Sequence, residues 1–322
     1  MAERYTLVQA VNQALHDAMS KDSSTVVLGQ DVGKCGGVFR ATEGLQEKFG
    51  EQRVMDTPLA EAAIVGCSVG MAIKGLKPIA EMQFSGFSYQ AFYQIEQHVA
   101  RYHNRTRGLY PMSMVIRMPY GGGVRAFEHH SESRETYFVH TPGLKVVIPS
   151  TPSDAYDLLI ASIADPNPVI FMEPKRIYRS MKSELDFSEA KLGEAKILQA
   201  GRQVTLIAYG AMIPLCQQAI ERLPQYSIEL IDLRTLSPWD EKTVVTSVQK
   251  TGRAVIVHEA PKTLGMASEI IASLNEKAFL YLQAPLKRVT GYDAIMPYYQ
   301  RENEYLPNVD KIVSAIEETV EF

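Results

Sequence analysis

Two hydrophobic periodicities alternate along the chain. Leu7, Val11, Leu15 and Met19 recur at helical spacing with Val8 and Ala18 beside them, and Thr6 with Gln9 three residues on forms a capping box before that helix. Thr25 to Leu28 is a short apolar strand ending at Gly29, and the stretch that follows, with Gly33, Gly36, Gly37 and Gly44, reads as loop. Arg53–Met55 is a short strand leading into Asp56-Thr57-Pro58-Leu59-Ala60-Glu61. From Ala62 to Ile73 no residue is charged and Ser68 carries the only hydroxyl, so this helix is apolar all round and expected to be buried in the core. Ile79–Phe84 is a strand broken by Gly86, and a long helix then runs to about Arg105 with Phe92, Ile95, Val99 and Tyr102 on one face. Strands follow at Met112–Met118, Lys145–Ile148 and Val169–Met172, the last two separated by a helix that Thr151-Pro152-Ser153-Asp154 starts.

Strand and helix alternate throughout this half, which predicts a parallel sheet with helices on both faces. Lys175, Arg176, Arg179, Lys182, Glu184, Asp186, Glu189, Lys191 and Glu194 make residues 174 to 202 a charged connector. A second alternation follows, with strands at Val204–Ala208, Ile228–Leu233, Ala254–Val257 and Leu286–Val289. The chain is therefore read as α/β with two domains, 1–186 and a smaller 187–322. In open parallel sheets ligands bind beyond the C-terminal strand ends. Glu61, Gln83, Phe84, Phe87, His129 and His130 all follow predicted strands.

Composition narrows the function classes. With 46% apolar and 22% charged residues the chain is an ordinary globular protein, and a net charge of −4 gives no reason to expect nucleic acid or an anionic membrane as partner. Cys35, Cys67 and Cys216 lie far apart with no metal or redox spacing, which fits a reducing compartment. The N-terminus leads directly into a helix, so no targeting peptide is expected, and no apolar run reaches the ~18 residues that span a bilayer. The expected location is the cytoplasm.

The chemistry-bearing residues do not form a complete machine by themselves. Glu61 sits at the positive end of a helix dipole, a place where a carboxylate is commonly just a helix start. His129-His130, inside Glu128-His129-His130-Ser131-Glu132-Ser133, has no third ligand at metal spacing; these are surface histidines or proton-handling groups beside a pocket. Gly121-Gly122-Gly123 is not a phosphate-binding fingerprint, no G-x-S-x-G elbow occurs, and His258-Glu259 stands isolated. The residues alone leave an enzyme subunit carrying part of a site and a non-catalytic α/β binding or scaffold subunit as alternatives.

The ordered motifs go further. Gly36-Gly37-Val38-Phe39-Arg40-Ala41-Thr42, the Asp56–Glu61 segment, Glu81-Met82-Gln83-Phe84-Ser85-Gly86-Phe87, His130-Ser131-Glu132-Ser133, His140-Thr141-Pro142-Gly143-Leu144-Lys145-Val146-Val147 and Asp232-Leu233-Arg234-Thr235 together resemble the β subunits of the thiamine-diphosphate-dependent 2-oxoacid dehydrogenases, over essentially the whole chain. The resemblance implies a thiamine-pyrimidine-binding domain followed by a smaller transketolase C-terminal-like domain. It implies an α2β2 heterotetramer, with an α subunit holding Mg2+ and the diphosphate half of a shared thiamine diphosphate. No G-D-G with a downstream Asn-Asn occurs here, in keeping with that division. Acyl groups would pass to a lipoyl-bearing dihydrolipoyl acyltransferase core. Glu61 would bond N1′ of the aminopyrimidine, Leu59, Gln83 and Phe87 would line that ring, and His130 would assist proton transfer or lipoamide acylation. Asp165 and Asn167, with the Met114 and Val115 carbonyls, match a structural potassium site. Glu135–His140 and Val289–Asp293 look more like branched-chain members, with 2-oxoisovalerate as a typical substrate, while pyruvate and acetoin stay open. Glu132 stands where the family commonly has Gln and Arg134 where it commonly has Pro, which puts substrate choice and loop geometry beside His130 in question.

Overall fold

A computed structural model describes residues 3–322. By their packing they divide into two compact units, one running up to Tyr120 and including Tyr137–Leu192, the other combining Gly121–Thr136 with Gly193–Phe322. A single cut of the chain does not describe this division.

In chain order the first part contains α1 (Leu7–Lys21), β1 (Thr25–Gly29), α2 (Leu45–Phe49), β2 (Val54–Asp56), α3 (Glu61–Ile73), β3 (Lys77–Glu81), α4 (Ser88–Gln94), α5 (Tyr102–Arg105) and β4 (Val115–Tyr120). Then come α6 (Glu135–Val139), β5 (Lys145–Val147), α7 (Pro152–Ala164) and β6 (Val169–Pro174). The strands of the first unit pair in the order β5-β6-β4-β3-β1-β2, every pair parallel. The capping box at α1 forms as predicted, and Thr151 caps α7 through the Asp154 amide. The second unit holds β7 (Lys196–Gln199), β8 (Val204–Ala208), α8 (Met212–Glu221), β9 (Ile228–Asp232), β10 (Thr235–Ser237), α9 (Glu241–Thr251), β11 (Ala254–Pro261), α10 (Met266–Ala278), β12 (Lys287–Gly291), α11 (Glu302–Tyr305) and α12 (Val309–Val320). Its sheet runs β12-β11-β8-β9-β7, with β7 antiparallel to β9. No helix among the described residues is long and apolar enough to cross a membrane.

Three expectations need correction. α3 is not buried all round. Glu61, Ile64, Val65, Ser68 and Ala72 are buried, whereas Ala63, Cys67 and Gly70 are exposed, because the inner face alone packs in this chain. The long helix after β3 is broken. A π turn at Ile95–Val99, where the Ala100 amide bonds the Ile95 carbonyl, separates α4 from α5. The charged connector also contains ordered structure, since β7 adds an edge strand with Lys196 opposite Asp232.

Inside the first sheet lies a buried ion cluster. Register places Glu81 opposite Arg117 and Glu173 opposite Pro119, so the three charged side chains share one face. Arg117 Nε and Nη2 donate to the two Glu173 oxygens at 2.7 and 3.0 Å, and Nη1 donates to Glu81 Oε2 at 2.7 Å. The Tyr178 hydroxyl donates to Glu173 Oε2 at 2.6 Å. Burial pulls the Arg117 pKa down, but Glu173 and Glu81 outweigh it and hold the guanidinium above its ordinary value. Burial pushes Glu81 up, against the pull of Arg117.

Replacing Arg117 by Met strands two carboxylates in the interior. The expected loss is about 3–5 kcal/mol of unfolding free energy, read from urea titration of the assembled protein. An unchanged midpoint would show that the guanidinium does not hold these strands together.

Candidate active site

The C-terminal ends of three neighbouring strands stand level, with Gly29 in register with both Asp56 and Glu81. The loops that leave them carry the candidate residues of the first unit. Asp56 is spent on the glycine-rich loop: its carboxylate accepts from the Gly33 and Lys34 amides at 2.6 and 3.1 Å. A Cβ on Gly33 would meet Gln46 Nε2 at 2.2 Å and Asp56 Oδ2 at 2.6 Å, so a side chain there would displace the groups that hold the loop. Four residues beyond the turn at Thr57, Glu61 opens α3. The N-cap residue Ala60 offers no side-chain hydrogen bond. Glu61 is 4% exposed, and its Oε2 is buried with no hydrogen-bond partner among the described residues. Leaving such an oxygen unsatisfied is costly, so it points to a function rather than to packing.

β3 delivers the other candidates. Gln83 Nε2 donates to Asp31 Oδ2 at 3.0 Å, which fixes its amide. Phe87 lies at the end of a row of edge-to-face rings that begins at Tyr178 and passes through Phe39 and Phe84, with centroids 5.3, 5.4 and 5.7 Å apart. Leu59 stands 61% exposed in the turn before Glu61. The strand register therefore brings Leu59, Glu61, Gln83 and Phe87 to one edge of one sheet. Asp31 and Asp56 were not singled out from sequence; the signal was an acid just past, or at the end of, each preceding strand.

His130 belongs to the segment grouped with the second unit. It closes a single turn, with its amide bonded to the Phe127 carbonyl at 3.0 Å, and its ring lies 4.2 Å from that of His129. The residues after it are anchored to the second unit. Ser133 Oγ donates to Glu259 Oε1 at 2.8 Å, and the Tyr209 hydroxyl donates to Glu135 Oε1 at 2.8 Å. Gly121, with a φ of +82°, allows that arrangement, since a Cβ there would lie 1.9 Å from Glu259 Oε1. Glu259 is thus not isolated, as its sequence context suggested. Burial raises the Glu135 pKa to about 7, against its own backbone amide and the Tyr209 hydroxyl. Burial lowers the pKa of His258 to about 4. The two departures from the family pattern, Glu132 and Arg134, bond each other, with Arg134 Nη2 2.6 Å from Glu132 Oε2.

Of the residues matched to a potassium site, Asp165 and Asn167 bond each other, and the segment that carries them lies beside the start of β4. The Met112 amide bonds Pro166 O, and Val169 N bonds Met114 O. Their side chains do not fit a further cation. Lys145 Nζ and the Asn167 amide already engage the Asp165 carboxylate, and Asn167 Oδ1 is paired with His103 Nδ1 at 2.9 Å. Val115 lies within the β4 ladder between Ile79 and Val169. Among the described residues no group of three or more His, Cys, Asp or Glu is placed to hold a metal ion.

Comparison with known proteins finds two family models in succession along the chain, the first of which includes the Gly121–Thr136 segment. The model of the transketolase pyrimidine binding domain matches residues 3–181, and that of the transketolase C-terminal domain matches residues 193–312. The chain is 50% identical over 315 residues to the pyruvate dehydrogenase E1 component subunit beta of Acholeplasma laidlawii, across 97% of this chain and 96% of that one. It is 45% identical over 322 residues to the 3-methyl-2-oxobutanoate dehydrogenase subunit beta of Mycobacterium tuberculosis, across 98% and 92%. A solved split-gene transketolase, described as an inactive beta4 tetramer, shares the fold at a TM-score of 0.80 and 20% identity, across 98% of this chain and 99% of that one. The chain belongs to the β subunits of the 2-oxoacid dehydrogenase E1 components. E1 enzymes of this family use thiamine diphosphate, and membership implies an α subunit as partner.

The raised pKa of Glu135 makes stability depend on pH. Its carboxyl ionises near 4.5 when unfolded but near 7 in the fold, so its contribution is complete below about 4.5 and is lost as pH rises through about 7. The loss amounts to on the order of 3 kcal/mol. Glu135→Gln keeps an acceptor for Tyr209 and removes this dependence, so its stability relative to the parent should rise between pH 4.5 and 7. Parallel stability curves for the two proteins would contradict the assignment.

Proposed function

We propose that this β subunit forms an α2β2 heterotetramer with its α subunit, in the cytoplasm, and there catalyses oxidative decarboxylation of a 2-oxoacid and reductive acylation of lipoyl groups on an acyltransferase core. Thiamine diphosphate would be shared between the subunits, with Mg2+ held by the α subunit. The observation that carries this proposal is the Glu61 carboxyl, whose buried Oε2 has no hydrogen-bond partner among the described residues. A scaffold subunit has no use for such an oxygen, whereas a protonated ring nitrogen satisfies it.

The residues present fit the aminopyrimidine half of the cofactor. Glu61 would share a proton with N1′ through its buried carboxyl. Phe87 presents a half-buried ring for stacking, Leu59 an apolar side chain, and Gln83 an amide oriented by Asp31. When bound, thiamine diphosphate supplies the nucleophilic carbon and the electron sink for loss of carbon dioxide. His130 would hold or deliver a proton during acyl transfer to lipoamide. The exposed apolar side of α3, at Ala63, Cys67 and Gly70, supports a protein partner beside the Glu61 helix.

The motifs at Glu135–His140 and Val289–Asp293 favour a branched-chain substrate such as 2-oxoisovalerate. A relative named for pyruvate supports pyruvate as the second choice, with acetoin as a further alternative. Assembly with the α subunit, thiamine diphosphate and Mg2+ should yield faster decarboxylation of 2-oxoisovalerate than of pyruvate. The reverse order reassigns the substrate, and inactivity on every 2-oxoacid sinks the catalytic proposal. Glu61→Gln should lower kcat about 100-fold or more in a complex that still assembles. A fully active variant would remove Glu61 from the mechanism.

A further inference from the structure

The loop that carries His130 has little structure of its own. Between Gly121 and Ser133 its regular structure is the single turn Glu128–His130, and Gly121, Gly123 and Arg125 all have positive φ, at 82°, 86° and 57°. Such a segment samples many conformations unless other parts of the chain fix it. Its far end is held at Ser133 and Glu135, as described above.

The near end is held by one carboxylate. Glu302, at the start of α11 and 3% exposed, accepts from the Gly123 amide through Oε1 at 2.7 Å and from the Arg125 amide through Oε2 at 3.0 Å. Both donors are main chain, so the contact fixes the path of the loop whatever its side chains are. The backbone also lies close against this region, since a Cβ on Gly122 would meet Met296 at 2.9 Å, Leu306 at 3.1 Å and Glu302 Oε1 at 3.2 Å. Met296, Tyr305 and Leu306 form a small buried cluster behind the contact. The Gly121 amide bonds the Glu132 carbonyl at 3.1 Å and closes the loop at its base. His130 lies between the two anchored ends.

We infer that Glu302 is a positioning residue for the reaction, its carboxylate setting the place of the His130 imidazole by holding the Gly123 and Arg125 amides. The inference rests on the proposed proton-handling role of His130. Glu302 acts through the loop, by the two main-chain amides that it holds. Small misplacements of a reacting group cost large factors in rate.

The test uses the heterotetramer loaded with thiamine diphosphate and a free lipoyl domain as acceptor. Glu302→Gln keeps the volume but sets an NH2 against one of the two amide donors. The expected result is a fall in kcat for acylation of about 10-fold or more, with KM for the 2-oxoacid, cofactor affinity and thermal midpoint held at parent values. Deuterium exchange of peptides spanning 121–134 should rise, because an anchored amide is released. Glu302→Asp, with both acceptor oxygens on a shorter arm, serves where Gln fails to assemble and should show the same pattern with a smaller loss. Added to His130→Ala, Glu302→Gln should cost nothing further, since both act through one group. Full activity of His130→Ala would overturn the His130 role and the inference with it. An inactive His130→Ala beside a fully active Glu302→Gln, unchanged exchange of the loop, or losses that multiply in the double variant would overturn the inference alone.

Discussion

One guanidinium ties together the strand ends on which the candidate site is built. Arg117 bridges Glu81, the last residue of β3, and Glu173 near the end of β6, while its own carbonyl receives the Met82 amide. Gln83 follows directly. Tyr178, bonded to Glu173, begins the row of rings that ends at Phe87. Stability alone does not account for such a triad, because apolar residues of similar volume often stabilise as well. Placement accounts for it better: each charge has a directional partner, so β3, β4 and β6 have one register in which all three are satisfied. The edge that carries Glu61, Gln83 and Phe87 inherits that register.

Much of this was legible in the chain. Thr6 and Gln9, Thr151 and Asp154, and the runs at Thr25, Ile79, Val115 and Val169 carry their own start signals or β-branched centres, so the alternation of a parallel sheet could be read locally. The misreadings have physical causes. α3 is apolar on both faces, and hydropathy alone does not tell which of them the rest of the chain covers; Ala63, Cys67 and Gly70 lie on the face left exposed. Helical spacing continued through Ile95–Val99 because a π turn shifts the register by one residue without changing composition. β7 is an edge strand whose pairing with β9 comes from a distant part of the chain.

The site divides in the same way. Glu61 could be located from sequence, but its local setting was that of any helix start; its meaning came from distant motifs and from the unpartnered oxygen. The pairing of the His130 loop with its anchors could not be read, because Glu259, Tyr209 and Glu302 lie far away in sequence and nothing local links them to the loop. Glu132 and Arg134 appeared as two independent departures. Their mutual bond makes them one change, a pair that keeps its charge balanced within the loop. Glu61 thus stands at a sheet edge, and His130 on a loop anchored by long-range contacts.

The central claim is that Glu61 keeps one buried oxygen free for the ring nitrogen of the cofactor. Its most direct test is the rate of hydrogen–deuterium exchange at the thiazolium C2 of bound thiamine diphosphate, followed by rapid acid quench and NMR in the assembled enzyme. Loss of the Glu61 carboxylate should slow that exchange about 100-fold or more while the cofactor stays bound. Equal exchange rates with and without the carboxylate would contradict the account.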